Sequence, residues 1–546
     1  MSKSMIEELE NAGNAFREAL DQYLDVCSKI DDLSLCQGVP RHIPQSYLDK
    51  LHAEIAHSPS HASKLQRTEA IVGRIRNRVA QITPIASLPL EILGHIFHLV
   101  AKPCDLVPSN LGESNSNSGF STPTKPNHVI NTCSHWRRTA ITLPSLWTHI
   151  DILPHKLHQS GFVARAETYV TRAAQLPIEL HIADTSPFKY DSAPFGRFLS
   201  SISTRVQSLD MAAIHGREPF HNFIFAKLFS SDGSQSICTN LTTNFAKAHY
   251  IIDDFLDCFD VIDNTFHFTA LRLRGLFPGW NSKVYSNLVD LRLLTAPRDD
   301  RWTQIPEHKL RNLLEASPRL KIFHFSLQIT NQQPGDTPPN PVRLDDLEVL
   351  GISTYRDPFD AILQPGYVLR LLAPGSKPLQ LSIRHDFQVF DPYDDDAEEI
   401  YVHVDEFSLD ELVKFFQRSN LTRFCVKDRC PELGRLLSYA PNLEDLALDS
   451  FEFSLTANNP LRHGGSCRLN SLILLKCYLS VDQMDLFLKH CPADLLTLFK
   501  CRLHSEEGLF VKGESVERLP KLLERYPATK LIFQSSNPTA CWDVID

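Results

Sequence analysis

LNSLILLKCYL, residues 469–479, places leucine at 469, 472, 474 and 479 and cysteine at 477. Two neighbouring stretches share that L-x-x-L-x-L-x-x-C-x-L spacing with conservative swaps: LEDLALDSFEF from Leu443 and ADLLTLFKCRL from Ala493. Their fourth positions are Leu446, Leu472 and Leu496, which gives periods of 26 and 24 residues. Such periods belong to leucine-rich repeats, in which each unit adds one strand and one helical or turn segment to a stack.

Weaker copies lie upstream. Leu209 and Met211 sit in VQSLDM, Leu271 and Leu273 in FTALRL, Leu291 and Leu293 in LVDLRL, and Phe323 and Phe325 in LKIFHF. Leu347 stands in LDDLEVL, Leu381 and Ile383 in KPLQLSI, and Phe424 and Val426 in LTRFCV. ATKLIF, with Leu531 and Phe533, is the last. Four segments with apolar residues at helical spacing run into Pro318, Pro441, Pro492 and Pro527, where proline blocks helix continuation. The expected class is α/β: an irregular leucine-rich-repeat solenoid with a parallel sheet over residues 151–546, preceded by helical segments. A non-repeating α/β domain with parallel strands is the alternative that the irregular periods leave open.

No single unit buries its own apolar face, so stacked units share a core. The residues flanking the inward leucines then line a concave surface. On the clear repeats these include Asp445, Ala447, Asp449, Ile473, Leu475, Thr497 and Phe499. Asp445, Asp449, Ile473, Leu475, Thr497 and Phe499 are the candidate target-binding positions. Leu475 and Phe499 either offer an apolar face to a protein partner or lie under a neighbouring helix or the C-terminal tail.

Residues 88–100, LPLEILGHIFHLV, form a helix by pattern, with Pro89 suited to its first turn and Glu91 to its positive end. On a wheel of about 100° per residue the apolar side chains cover roughly 200°, about twice the stripe of an ordinary surface helix. Either this helix is sandwiched within its own domain, or part of its stripe waits for another protein.

The N-terminal segment, residues 1–82, carries two heptad stripes. One runs through Leu9, Ala12, Phe16, Ala19, Tyr23, Val26 and Ile30; the other through Leu65, Thr68, Val72, Ile75, Val79 and Ile82. Leu48, Leu51 and Ile55 mark a short helix between them, bounded by Pro44 and Pro59. A helical hairpin packed on itself or an intermolecular coiled coil both satisfy this pattern. Residues 104–127, rich in Ser, Asn, Gly and Pro, read as a disordered insertion.

The totals exclude several classes. A net charge of −10 over 546 residues argues against a duplex nucleic-acid binder. No apolar run is long enough to span a bilayer, and the charged N-terminus does not resemble a signal peptide. Thirteen scattered cysteines without a C-x-x-C pair suit a reducing compartment, so the expected location is cytoplasmic or nuclear. Nucleophile elbow, P-loop and H-E-x-x-H signatures are all missing from the sequence. The pairs His57/His61 and His155/His158 lack further ligands at metal spacing, and the acidic run 391–399 lacks the glycine and final glutamate of a calcium loop. No metal, cofactor or enzymatic activity is expected; a hydrolase with an unrecognised site is the remote alternative.

LPLEILGHIFHLV followed by CSHWRRTA and LPSLWTHI resembles the F-box, a three-helix motif, here within residues 83–150. With helices before it and repeats behind, the chain is similar to the F-box-like proteins abundant in mushroom-forming fungi. The resemblance implies that Leu88, Pro89, Ile92, Ile96 and Leu99 dock on the small adaptor subunit of a cullin–RING ubiquitin ligase. Trp136 and Cys133 belong to the later helices, as adaptor contact or internal core, and Trp147 anchors the box to the first strand. The implied function is a substrate receptor: the box holds the ligase and the solenoid holds an unknown target protein. A repeat scaffold without a ligase link is the alternative.

Overall fold

The computed structural model describes residues 3–36, 44–76, 85, 88–101, 125–153, 162–184, 192–213, 219–229, 237–249, 267–296, 303–331, 340–355, 364–386, 406–427, 430, 433–451, 468–504, 524–540 and 542. The chain divides into two compact units: Met1–Leu93 with Cys133–His135, and Gly94–Thr132 with Trp136–Asp546.

The larger unit is a solenoid. Among the described residues its main sheet has fourteen strands, arranged in strict sequence order. The first three are β1 (His149–Ile152), β2 (Ile178–Asp184) and β3 (Val206–Ala213), and the last is Lys530–Phe533. All neighbouring pairs are parallel. Parallel neighbours need a crossover; helices such as Phe162–Arg172, Ser192–Ile202 and Val481–His490 supply it.

One continuous ladder explains the sequence pattern. Register aligns Ile150, Leu180, Leu209, Leu241, Leu271, Leu291, Phe323, Leu350, Leu381, Phe424, Leu446, Leu472, Leu496 and Leu531. Nearly all of these side chains are removed from water. Leu180 and Leu241 are rungs that the spacing did not reveal. Leu347 is a correction: the rung is Leu350, and Leu347 is the first leucine of that unit, three residues earlier, equivalent to Leu443.

The cysteine position has a physical role. After the strand each clear unit turns through a left-handed residue, Ser450, Lys476 and Lys500, at φ of 52°, 52° and 53°. The backbone then brings the next side chain inward. There the thiol of Cys477 donates to the Leu448 carbonyl and that of Cys501 to the Leu474 carbonyl, both at 3.2 Å. Each thiol thus meets a carbonyl of the preceding unit, which a buried backbone group requires.

In the smaller unit, α1 (Lys3–Cys36) and α2 (Gln45–Arg76) meet where Tyr23 Oη donates to Glu54 at 3.1 Å. Here the expected break at Pro59 does not occur: α2 runs through it, absorbing the lost N–H within one long helix. The heptad stripes are not sealed. Leu9, Phe16, Tyr23, Val26, Leu65 and Val72 are all exposed. Val79 and Ile82 lie outside the described residues, as do 104–124 of the insertion, the acidic run 391–399, His155/His158 and most of the segment leading to Pro527. Lys125–Asn127, the end of the expected insertion, begin helix α4 (Lys125–Thr132). No helix among the described residues is long and apolar enough to cross a membrane.

Candidate functional site

Helix α3 (Leu90–Val100) is the first candidate. Pro89 stands just before it, and its carbonyl accepts the Leu93 N–H at 3.1 Å. The apolar girdle divides in two. Leu93 and Phe97, about 140° and 180° from Leu88 on the wheel, are fully buried. Gly94 is buried beside them, next to Leu143.

The other arc remains in water. Ile92 is 49% exposed and Leu99 55%, with Val100 beside them also exposed. Pro89 is exposed, while Leu88 and Ile96 are half-buried. The positions assigned to the adaptor are thus accessible only in part, Pro89, Ile92 and Leu99 more than Leu88 and Ile96.

The remaining box residues explain how that core side is held. Trp136, in α5 (Ser134–Ile141), is half-buried with its ring 5.1 Å from that of Phe97. At least part of its surface is therefore internal packing. Trp147 is fully buried in the short turn Pro144–Trp147, and its indole donates to the Ala140 carbonyl at 2.8 Å. Tyr169 meets it edge-on at 5.0 Å, and the Arg172 guanidinium lies 4.3 Å from its ring. Burial raises the Tyr169 phenol pKa. Trp147 thus joins the box to β1 and to the first crossover helix. Cys133 is half-buried.

The second candidate is the sheet face opposite the leucine ladder. Of the two alternatives for its apolar residues, cover by the C-terminal tail is the one found, which corrects their assignment as target-binding positions. Ile473, Leu475, Thr497 and Phe499 are all buried. They do not await a partner, because the chain itself returns over them: Cys425, Ala447, Ile473, Leu475 and Phe499 form a cluster with Trp542. The small side chains at 425 and 447 leave room for an indole between larger neighbours. Arg423 lies over the indole at 5.5 Å and pairs with Asp445 at 3.3 Å. Burial raises the Asp445 pKa against the opposing effect of Arg423. Asp445 and Asp449 stay half-buried, Asp449 lying 3.7 Å from Lys476. Trp542 was not singled out in the sequence, since a lone tryptophan near a C-terminus carries no periodic signal.

No family model matches this chain, and no curated protein matches it. Among solved structures, a chain in the crystal structure of the Rad7 and Elc1 complex in yeast aligns over 90% of this chain and 98% of that one. Identity is 11% and the TM-score 0.34, a likeness too weak to bear on function.

Proposed function

We propose that this chain is a non-enzymatic substrate receptor of a cullin–RING ubiquitin ligase. Its F-box-like helices dock on the adaptor subunit and its solenoid holds a target protein. One observation carries the reading: α3 buries Leu93 and Phe97 while keeping Ile92 and Leu99 half in water on another side. A helix built only for its own core has no use for the second strip. The motif LPLEILGHIFHLV followed by CSHWRRTA supplies the chemistry of the partner, an apolar groove that accepts a leucine–proline start and a stripe of aliphatic side chains.

The target surface is narrower than the sequence implied. Ile473, Leu475 and Phe499 are buried with Trp542 and Thr497 is buried beside them, while Asp445 and Asp449 of that group remain half-buried. Ubiquitin transfer belongs to partners; this chain contributes proximity.

Binding of the purified full chain to a purified adaptor subunit tests the reading. The wild type binds; Leu88→Ala with Pro89→Ala, or Ile92→Asp alone, weakens binding at least tenfold, about 1.4 kcal/mol. Circular dichroism confirms that the variants fold. A folded wild type that does not bind the adaptor leaves a repeat scaffold without a ligase link.

A further inference from the structure

The first strands of the solenoid gather imidazoles and carboxylates on the face opposite the leucines. β1 presents His149 and Asp151, two residues apart and so on one face. Parallel pairing sets His149 beside Glu179, Asp151 beside His181, and His181 beside Asp210. The alternate residues Ile150, Ile152, Leu180, Ile182 and Leu209 are buried in the core. A one-residue slip would turn them outward, so the register that assembles the polar cluster is fixed.

Within that cluster, one ligand atom each from His149, Asp151 and His181 lie within 4.8 Å of one another. Ligands on one tetrahedral ion, each about 2.1 Å from it, stand roughly 3.4 Å apart. Small side-chain rotations bring the set to that spacing.

Two further features point to a cation. His149 faces carboxylates on both sides, with Nδ1 3.3 Å from Glu179 and Nε2 3.0 Å from Asp151. A neutral imidazole has one N–H and one lone pair, so it satisfies only one of them. Donation from Nδ1 to Glu179 turns the Nε2 lone pair toward Asp151, the arrangement of a metal-ligating histidine steadied by a carboxylate behind it. His181 supplies the second feature. Its Nδ1 is buried and makes no hydrogen bond, standing 4.0 Å from Asp151 and 3.9 Å from Asp210.

We propose that His149, Asp151 and His181 bind a divalent transition-metal ion of the zinc type. Glu179 orients His149, and Asp210 is the nearest further carboxylate to His181. Two nitrogens and one oxygen suit zinc, whereas magnesium and calcium require shells of oxygen. The ion pins β1 to β2, where the box meets the repeats.

Titration of the chelator-treated full chain with Zn²⁺, followed calorimetrically, tests the site. The wild type takes up one saturable equivalent in this cluster. His181→Ala and Asp151→Asn each weaken that binding at least tenfold, while His57→Ala with His61→Ala, altering the histidine pair on α2, leaves it intact. Co²⁺ titration of the wild type reads the same ligands through visible absorption and needs no substitution. A doubly protonated His149 bridging its two carboxylates is the rival. It gives no saturable Zn²⁺ or Co²⁺ uptake, or uptake that His181→Ala and Asp151→Asn leave unchanged; either result overturns the proposal.

Discussion

Arg370 directs Nη2 at both carboxylate oxygens of Glu307, 2.7 Å from each, although 63 residues separate them. Both side chains are almost wholly out of water, at 3% and 10% exposure. Glu307 opens the helix Glu307–Glu315, and Arg370 follows the helix Pro365–Leu369, so the pair ties two crossovers together. Removing one partner strands the other charge in a medium that solvates it poorly. Glu307→Ala or Arg370→Ala is therefore expected to cost about 3–5 kcal/mol. Replacing both, as Glu307→Leu with Arg370→Met, is expected to cost far less, since neither charge is then left alone. Urea denaturation of the three variants checks this; single variants within 1 kcal/mol of wild type would show that the pair behaves as a surface one.

Gly366 sets a second constraint nearby. A Cβ at that position would run into the Ser408 carbonyl oxygen and lie 2.5 Å from its Cα. The Gly366 N–H also donates to Ser408 Oγ at 3.0 Å. Alanine ordinarily stabilises a helix relative to glycine by about 1 kcal/mol. Here backbone meets backbone, and Gly366→Ala is expected to destabilise by about 2 kcal/mol through overpacking. The sign alone decides: a rise in thermal midpoint contradicts the geometry.

Those two contacts show where reading the sequence stops. The ladder was legible because leucine spacing is local, and the strands from Leu446 to Leu496 repeat it almost without variation. Leu350 escaped because a leucine three residues earlier fits the same motif. The double character of α3 was also legible, since an apolar arc of about 200° exceeds what one core uses. Which arc faces inward was not, because that depends on Phe97 meeting Trp136 across a long stretch of chain. Trp542 on the sheet and the His149–Asp151–His181 cluster required register and chain return, which no local pattern encodes. His149 and Asp151 were not singled out, because two residues on one strand carry no ligand signal until β2 brings His181 beside them.

Thiol chemistry offers a check on burial. Desolvation pushes the thiols of Cys238, Cys425 and Cys430 up to about 12. Thiolate is the reacting species, so these groups stay inert in the folded protein even at pH 9. Cys27, on α1, is exposed. Brief alkylation with iodoacetamide at pH 7.5, followed by peptide mass mapping, is expected to label Cys27 and spare the other three. All four become reactive in denaturant. Labelling of Cys425 in the native protein would mean that the Trp542 cluster is open in solution.

Trp542 permits the sharpest separation of stability from binding. A buried tryptophan removes about 150–250 Å² from water, and truncating one to alanine costs about 3–5 kcal/mol in a closed core. The indole sits on a sheet face, packed with Ile473, Leu475 and Phe499, with Arg423 over its ring. Trp542→Ala is therefore expected near the lower end, about 3 kcal/mol. Its effect should be local, because solenoid units are stabilised by nearest neighbours. Hydrogen exchange should rise in strands Asp445–Asp449, Leu469–Leu475 and Ala493–Phe499 and stay unchanged in β1 to β3. The same substitution uncovers an apolar floor, so binding of an apolar dye should increase. Trp542→Phe, which refills most of the volume, should restore both readings. An alanine variant with unaltered exchange in those three strands would show that the indole does not cover them, and Leu475 and Phe499 would return as a surface open to a partner.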